Sequence, residues 1–205
     1  MLTKAWVESH DISSDPTPPL VASYNEPCGR TAREIAVRTV ILQGVVAVGA
    51  EVDPAPIISW FREQEVWDQV TLNEQIFLAN PSPSEEERIK LCWHQEAEWA
   101  LLWVIGKVEH LGLPTSCCDT ARLVDEIIPA LGSDIADFLA SAQLRPPGVL
   151  LAEDDRTYDM WCHAQSARRD GTLPKDLNWS VLYQRRYAFE WLDGNQDWDE
   201  VICDA

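Results

Sequence analysis

Apolar residues recur every three or four positions through most of the chain, and each such segment is bounded by residues that start or stop helices. The first segment follows a capping box formed by Thr31 and Glu34. Its apolar positions predict a mostly buried helix over residues 32–49, ending near Gly49.

Three further helix starts follow in the first half of the chain. Asp53 before Pro54 predicts a short helix to about residue 64, and a capping box of Thr71 with Glu74 opens a brief helix that carries apolar residues. A capping box at Ser84 predicts the longest helix, over residues 85–111. The second half of this predicted helix has few polar residues on any side, so we expect it to be buried as the central helix of the fold.

The second half of the chain continues the same pattern. Short helices are predicted from Thr120 and after a cap at Ser133, and long ones over residues 148–170 and 179–193. No segment alternates with the period of a strand, and no repeat occurs at solenoid spacing. The sequence therefore predicts an all-α fold, a single compact multi-helix domain around a long central helix.

Residues 1–27 differ from the rest, because they contain a polar stretch rich in proline and show no sustained period of either kind. We expect a loosely ordered N-terminal arm or linker over residues 1–27 and a helical domain over residues 28–205.

Composition narrows the classes of function. Thirty-four acidic and sixteen basic side chains give a net charge of -18, which repels nucleic acids and anionic membrane surfaces and attracts basic partners. No apolar run is long enough to span a membrane. The six cysteines include one adjacent pair and two within predicted helices, and a core of this size needs no disulfides. We therefore expect free thiols and a cytoplasmic location.

The runs and spacings of several motifs resemble the bacterial family catalogued as domain of unknown function 4272, over roughly residues 30–204. The resemblance rests on Ala32 to Arg38; Trp67-Asp68 with Thr71, Glu74 and Phe77-Leu78; Trp93, Glu96-Ala97, Leu102-Trp103 and Gly106; Asp155, Tyr158, Trp161 and Pro174; and Arg185 to Ala188, Trp191-Leu192 and Trp198 to Val201. It implies the helical fold and no activity. The arm over residues 1–27 does not resemble that of the family.

Glu96 is the weak candidate for a catalytic residue. It lies among apolar residues of the predicted central helix, and a carboxylate there must be paired, protonated or part of a site. The expected structural role is a buried ion pair with an arginine, namely Arg33, Arg38, Arg156 or Arg186. The candidate binding or structural network comprises Arg38, Glu96, Arg156, Arg186, Trp93 and Trp161.

Metal and cofactor sites are not predicted. His94 and Glu98 lie four residues apart as two metal ligands can, but no further ligand motif accompanies them, so we expect an ordinary surface pair. No phosphate-binding loop, nucleophile elbow or paired-cysteine motif is present. Most of the ten tryptophans are expected in the core.

Two classes of function remain. The favoured hypothesis is a non-enzymatic acidic protein-binding module, of the immunity or antitoxin type, that occludes a basic partner. The alternative is a hydrolase or transferase of unrecognised type with an inter-helix pocket around Glu96.

Overall fold

The computed structural model describes residues 28–203, and 63% of these residues are helical, with no strand among them. The predicted all-α fold is confirmed. The predicted arm, residues 1–27, lies outside the described residues.

The helices are α1 Ala32–Gly49, α2 Pro54–Glu63, α3 Leu72–Ala79, α4 Glu85–Cys92, α5 His94–Val104, α6 Thr120–Arg122, α7 Ala136–Ala140, α8 Pro147–Arg169 and α9 Trp179–Leu192. Short 3-10 helices occupy Trp67–Gln69 and Trp198–Glu200.

The predicted caps start the helices of the first half. The Thr31, Thr71 and Ser84 side chains each accept from the backbone N–H three residues on, and the glutamate at that position accepts from the cap in return. The Asp53 carboxylate accepts from the N–H of Ala55 at 3.0 Å. These caps satisfy N–H groups that a helix leaves without partners in its first turn.

The predicted helix over residues 85–111 is wrong in its length and continuity. It divides into α4 and α5 at Trp93, where the N–H of Glu96 bonds to the Trp93 carbonyl three residues back and tightens the chain. The second part ends at Val104, because Gly106 adopts a left-handed conformation with φ +75°.

The short helices of the second half also differ from the prediction. The turn at Thr120 passes directly into a π-helix, Leu123–Ile127. Ser133 does not cap α7; the Asp134 carboxylate accepts from the N–H of Ala136 at 2.7 Å instead. The two long helices, α8 and α9, match their predicted ranges to within one residue at each end.

The core forms around α5, which packs between α1 and α9. Every residue from Glu96 to Val104 is buried, so α5 is the central helix even though it is short. Helix α4 packs on α1, and α8 packs on α9. A second, smaller apolar cluster joins α8 to α9 and consists of Met160, Trp161, Ala164, Leu177 and Leu182.

Helices α1 and α2 approach each other closely at Gly44. A Cβ atom at this position would lie 2.8 Å from Cγ2 of Ile57 and closer still to the ring of Phe61.

All six cysteines lie in the described region, and none forms a disulfide. None of the helices between residues 28 and 203 combines the length and apolar character that a membrane span requires.

Candidate functional site

An open cleft of about 690 Å³ lies on one side of the helical region, and we call it the acidic cleft. It lies between the start of α1, the segment that leads into α3, and the residues after α9. Five carboxylates line it, from Glu34, Asp68, Asp197, Asp199 and Glu200, together with Arg30, Arg38 and the rings of Trp191 and Trp198.

Arg38 is already neutralised by a carboxylate below the cleft. Its guanidinium donates to both oxygens of Glu74, at 2.6 and 2.7 Å, and the two side chains are 4% and 2% exposed. Glu74 also accepts from the N–H of Thr71 as part of the cap of α3. This buried pair therefore fixes α3 against α1, and the charge of Arg38 is not available to compensate the carboxylates of the cleft.

Arg30 is held against the wall of the cleft. It donates to the main-chain carbonyls of Trp191 and Gln196, and its guanidinium lies 4.6 Å from the centre of the Trp191 ring. By contrast, Asp68, Asp197 and Glu200 are exposed and make no ion pair within residues 28–203. The cleft therefore presents a negative potential to the solvent.

Several of the runs that carry the family resemblance meet at this cleft, although they are far apart in sequence. They contribute Glu34, Val37, Arg38, Asp68, Thr71, Trp191, Trp198, Asp199 and Glu200 to its lining. The fold thus gathers residues from both ends of the helical region around one concave surface.

Glu96 is buried, as expected, at 3% exposure. One carboxylate oxygen accepts from the N–H of Cys118 at 2.6 Å, and the other lies 4.0 Å from Nη2 of Arg185 without a hydrogen bond. Arg185 in turn donates to the carbonyl of Gly112 at 2.7 Å. Burial lowers the pKa of Arg185, and the Glu96 carboxylate partly offsets that effect.

The prediction that Glu96 pairs with Arg33, Arg38, Arg156 or Arg186 is therefore wrong, because its nearest arginine is Arg185. Consecutive residues on a helix point about 100° apart, so Arg185 faces α5 while Arg186 faces α8. Arg186 pairs there with Asp154 at 2.7 Å and also with Glu190.

The predicted network is accordingly spread over several places. Arg156 pairs with Glu153 on its own helix. Trp161 belongs to the smaller apolar cluster, where its ring centre lies 4.5 Å from that of Trp179. Trp93 is half-buried at the break between α4 and α5. Of the predicted network, only Arg38 lines the acidic cleft.

A second cavity, of about 530 Å³, lies beside Glu96 and is also lined by Trp93, Cys92 and Cys117. Burial raises the pKa of both thiols, and the Glu96 carboxylate adds to the increase at Cys117. The pKa of the neighbouring Cys118 is raised for the same two reasons. A thiol with a raised pKa is a poor source of thiolate, so these cysteines are unsuited to nucleophilic catalysis.

The expectation that His94 and Glu98 form a surface pair is wrong. Glu98 is fully buried, and neither of its oxygens has a partner within residues 28–203, so burial raises its pKa well above the usual range. His94 is half-buried beside the rings of Tyr187 and Trp198, and desolvation lowers its pKa to about 4. No group of three or more potential ligands in the described region could hold a metal ion.

The sequence-based predictions missed four residues that organise these sites, and only one of them, Glu98, carried a usable signal. Glu98 lies in a stretch of α5 with apolar residues on every side, which indicates burial. Glu74 was identified only as a cap, and caps are usually exposed. Arg185 and Trp198 gave no local signal, because their roles depend on which helices meet.

A family model matches residues 3–201, which is nearly the whole chain. The match begins within residues 1–27, where we expected no resemblance to the family, and ends just before Ile202. No curated protein and no solved structure matches the chain. The chain therefore belongs to the family described as "Domain of unknown function (DUF4272)".

Proposed function

We propose that this protein is a non-enzymatic binding module that recognises a basic protein partner through the acidic cleft and occludes it. Immunity proteins and other toxin antagonists act in this general way. The single observation that carries the proposal is the lining of the cleft, where five carboxylates face the cavity and both arginines are held by the protein itself.

The chemistry of the cleft favours cationic side chains. Lysine and arginine side chains pair with carboxylates, and a concave surface lined by one sign of charge concentrates the field inside it. The net charge of -18 acts at longer range and speeds the encounter with a basic partner. The proposed role therefore uses both the local lining and the charge of the whole molecule.

The alternative function, a hydrolase or transferase acting at Glu96, is supported by the second cavity. Glu96 lines that cavity, and one of its oxygens has no hydrogen-bond partner in the described region. The raised thiol pKa values and the commitment of the other oxygen to Cys118 weigh against it. We therefore rank catalysis at Glu96 below binding at the acidic cleft.

The proposal predicts that full-length protein immobilised as bait captures a basic protein from cells of its source, and that the captured partner associates faster at low salt. The Debye length falls from about 10 Å at 0.1 M salt to about 3 Å at 1 M, so the association rate should fall steeply over that range. Asp68→Lys with Glu200→Lys should weaken binding at least about tenfold, because two unpaired carboxylates of the cleft are reversed.

The matched control is Glu63→Lys with Asp125→Lys, which changes the net charge equally at exposed positions outside the cleft. Binding by this control should stay within about threefold of wild type. Equal weakening by both double variants would mean that the overall charge, and not the cleft, recognises the partner. Turnover of a substrate that is lost in a folded Glu96→Gln variant would replace the binding function with the enzymatic one.

A further inference from the structure

The exposed side of α3 carries two large apolar side chains next to the acidic cleft. Leu72 is 69% exposed and Ile76 is 60% exposed, and they lie one turn apart on the same face. Leu72 also lines the cleft, so this pair, which we call the Leu72–Ile76 ridge, borders the carboxylates directly. The opposite face of α3 is buried through Glu74, Phe77 and Leu78.

The ridge and the acidic wall form one fixed surface. The N–H of Asn73, between the ridge residues, donates to the Asp199 carboxylate at 3.0 Å. The bidentate pair between Glu74 and Arg38 fixes the same helix from below. These bonds hold the Leu72–Ile76 ridge and the acidic cleft next to each other at a fixed distance and orientation.

Two buried donors on the wall of the cleft have no acceptor within residues 28–203. They are Nε of Arg38, on a side chain 4% exposed, and Nε1 of Trp198, on a residue 2% exposed. Unpaired buried donors are uncommon in folded proteins, so the wall of the cleft is not fully satisfied by its own hydrogen bonds. A polypeptide can offer basic side chains to the carboxylates and an apolar surface to Leu72 and Ile76 at the same time, which a small organic cation cannot.

The negative charge of the cleft determines which kinds of molecule can bind to this surface. Anionic membranes, nucleic acids and a second copy of this chain are all repelled by the carboxylates. Residues 1–27 contain one lysine and four acidic residues, so their charge does not complement the cleft either.

We infer that the partner presents a basic amphipathic helix, whose apolar face packs on the Leu72–Ile76 ridge while its lysine or arginine side chains enter the acidic cleft. A helix that docks on another protein makes its contacts through apolar residues spaced three or four positions apart. Such residues recur about once per turn, which matches the spacing of Leu72 and Ile76. This inference rests on the proposed function and specifies the structure of the partner segment.

The test uses three synthetic peptides of about 18 residues, long enough to form helix on binding. The first has leucines on one helical face and arginines on the other, the second has the same composition with the amphipathic order scrambled, and the third replaces the arginines with glutamine. Titration of the full-length protein with each peptide should give binding in the order first, second, third. The first should bind at least about tenfold more tightly than the second, because only it buries both ridge side chains.

The variant Leu72→Gln with Ile76→Gln should lose that tenfold preference and should bind the scrambled peptide as wild type does. Its control is Val124→Gln with Leu131→Gln, which alters two exposed apolar residues outside the cleft and should change nothing. Equal binding of the first two peptides to wild type would overturn the helix inference and leave the proposed function standing. Failure of both basic peptides to bind would count against the proposed function itself.

The same variants show whether the ridge is already covered. Urea denaturation and sedimentation of the ridge variant should match those of its control. Loss of stability in the ridge variant alone would mean that the chain itself covers the ridge, and a change in its sedimentation would mean that a second copy does. Either result would overturn the inference of a partner helix.

Discussion

Glu98 is a carboxyl group without a partner in the centre of the described structure, and its protonation is coupled to folding. Its pKa is raised well above 4.5 in the folded state, so above pH 4.5 the unfolded chain releases a proton that the folded chain retains. Stability should therefore fall as pH rises from 4.5 toward the folded pKa, with a limiting slope of about 1.4 kcal/mol per pH unit. Glu98→Gln should remove this contribution.

Urea denaturation of wild type and Glu98→Gln at several pH values between 5 and 8 checks this prediction. The variant should be the more stable protein at pH 8, and its advantage should shrink toward pH 5. The exposed Glu86→Gln is the control and should follow wild type at every pH. A Glu98→Gln variant whose pH dependence equals that of wild type would show that Glu98 is ionised and paired in solution.

At the scale of single residues, the sequence pattern predicted which side chains are buried better than it predicted which side chains pair with each other. The apolar surroundings of Glu96 correctly indicated a buried carboxylate, yet its nearest arginine is Arg185 and not Arg186. One position along a helix rotates a side chain by about 100°. The identity of a partner therefore depends on the rotation of α9 about its axis, which only packing determines.

Gly44 determines how closely two helices approach. Because a Cβ atom there would meet Phe61 and Ile57, Gly44→Ala should force α1 and α2 apart. Overpacking of this kind costs about 1–3 kcal/mol, which should exceed the gain of about 1 kcal/mol from replacing glycine within a helix. Denaturation should show a net loss of stability for Gly44→Ala.

Gly148→Ala is the matched control for that change. Gly148 also lies within a helix, near the start of α8, but a Cβ atom added there would have no neighbour within 4 Å in the described region. This variant should be as stable as wild type or slightly more stable. A loss of equal size in both variants would mean that the effect at Gly44 does not arise from its contact with α2.

At the scale of elements, helix starts were predictable wherever a side chain caps the backbone locally. The caps at Thr31, Thr71 and Ser84 needed nothing beyond four consecutive residues. The break at Trp93 was not predictable in this way, because neither proline nor glycine marks it. It arises where α4, which packs mainly on α1, is followed by α5, which packs between α1 and α9.

The whole molecule repels itself electrostatically, because its net charge is -18. Screening should relieve this repulsion in the compact state, while the buried pair between Arg38 and Glu74 should be little affected by salt. The urea midpoint should therefore rise between about 0.02 and 0.5 M sodium chloride, since most of the screening occurs in that range. A midpoint that falls over this range would mean that exposed ion pairs contribute more than repulsion costs.

The acidic cleft could not be located from the sequence, although its chemistry could be anticipated. Net charge suggested a basic partner as a hypothesis, but the carboxylates that line the cleft come from residue 34, residue 68 and residues 197–200. Only the packing of α3 and of the segment after α9 beside α1 brings them together. Long-range placement of this kind leaves no periodic signal in a single chain.

The position of α5 between α1 and α9 also bears on how the chain matures during synthesis. Ribosomes add residues at roughly 5–20 per second, so α5 emerges seconds before the helix that completes its surroundings. During that interval the side of α5 that will meet α9 has no cover, including Trp103, whose ring centre finally lies 6.2 Å from that of Phe189. A chain in which α5 has left the ribosome before α9 is complete thus exposes apolar surface that is prone to aggregation.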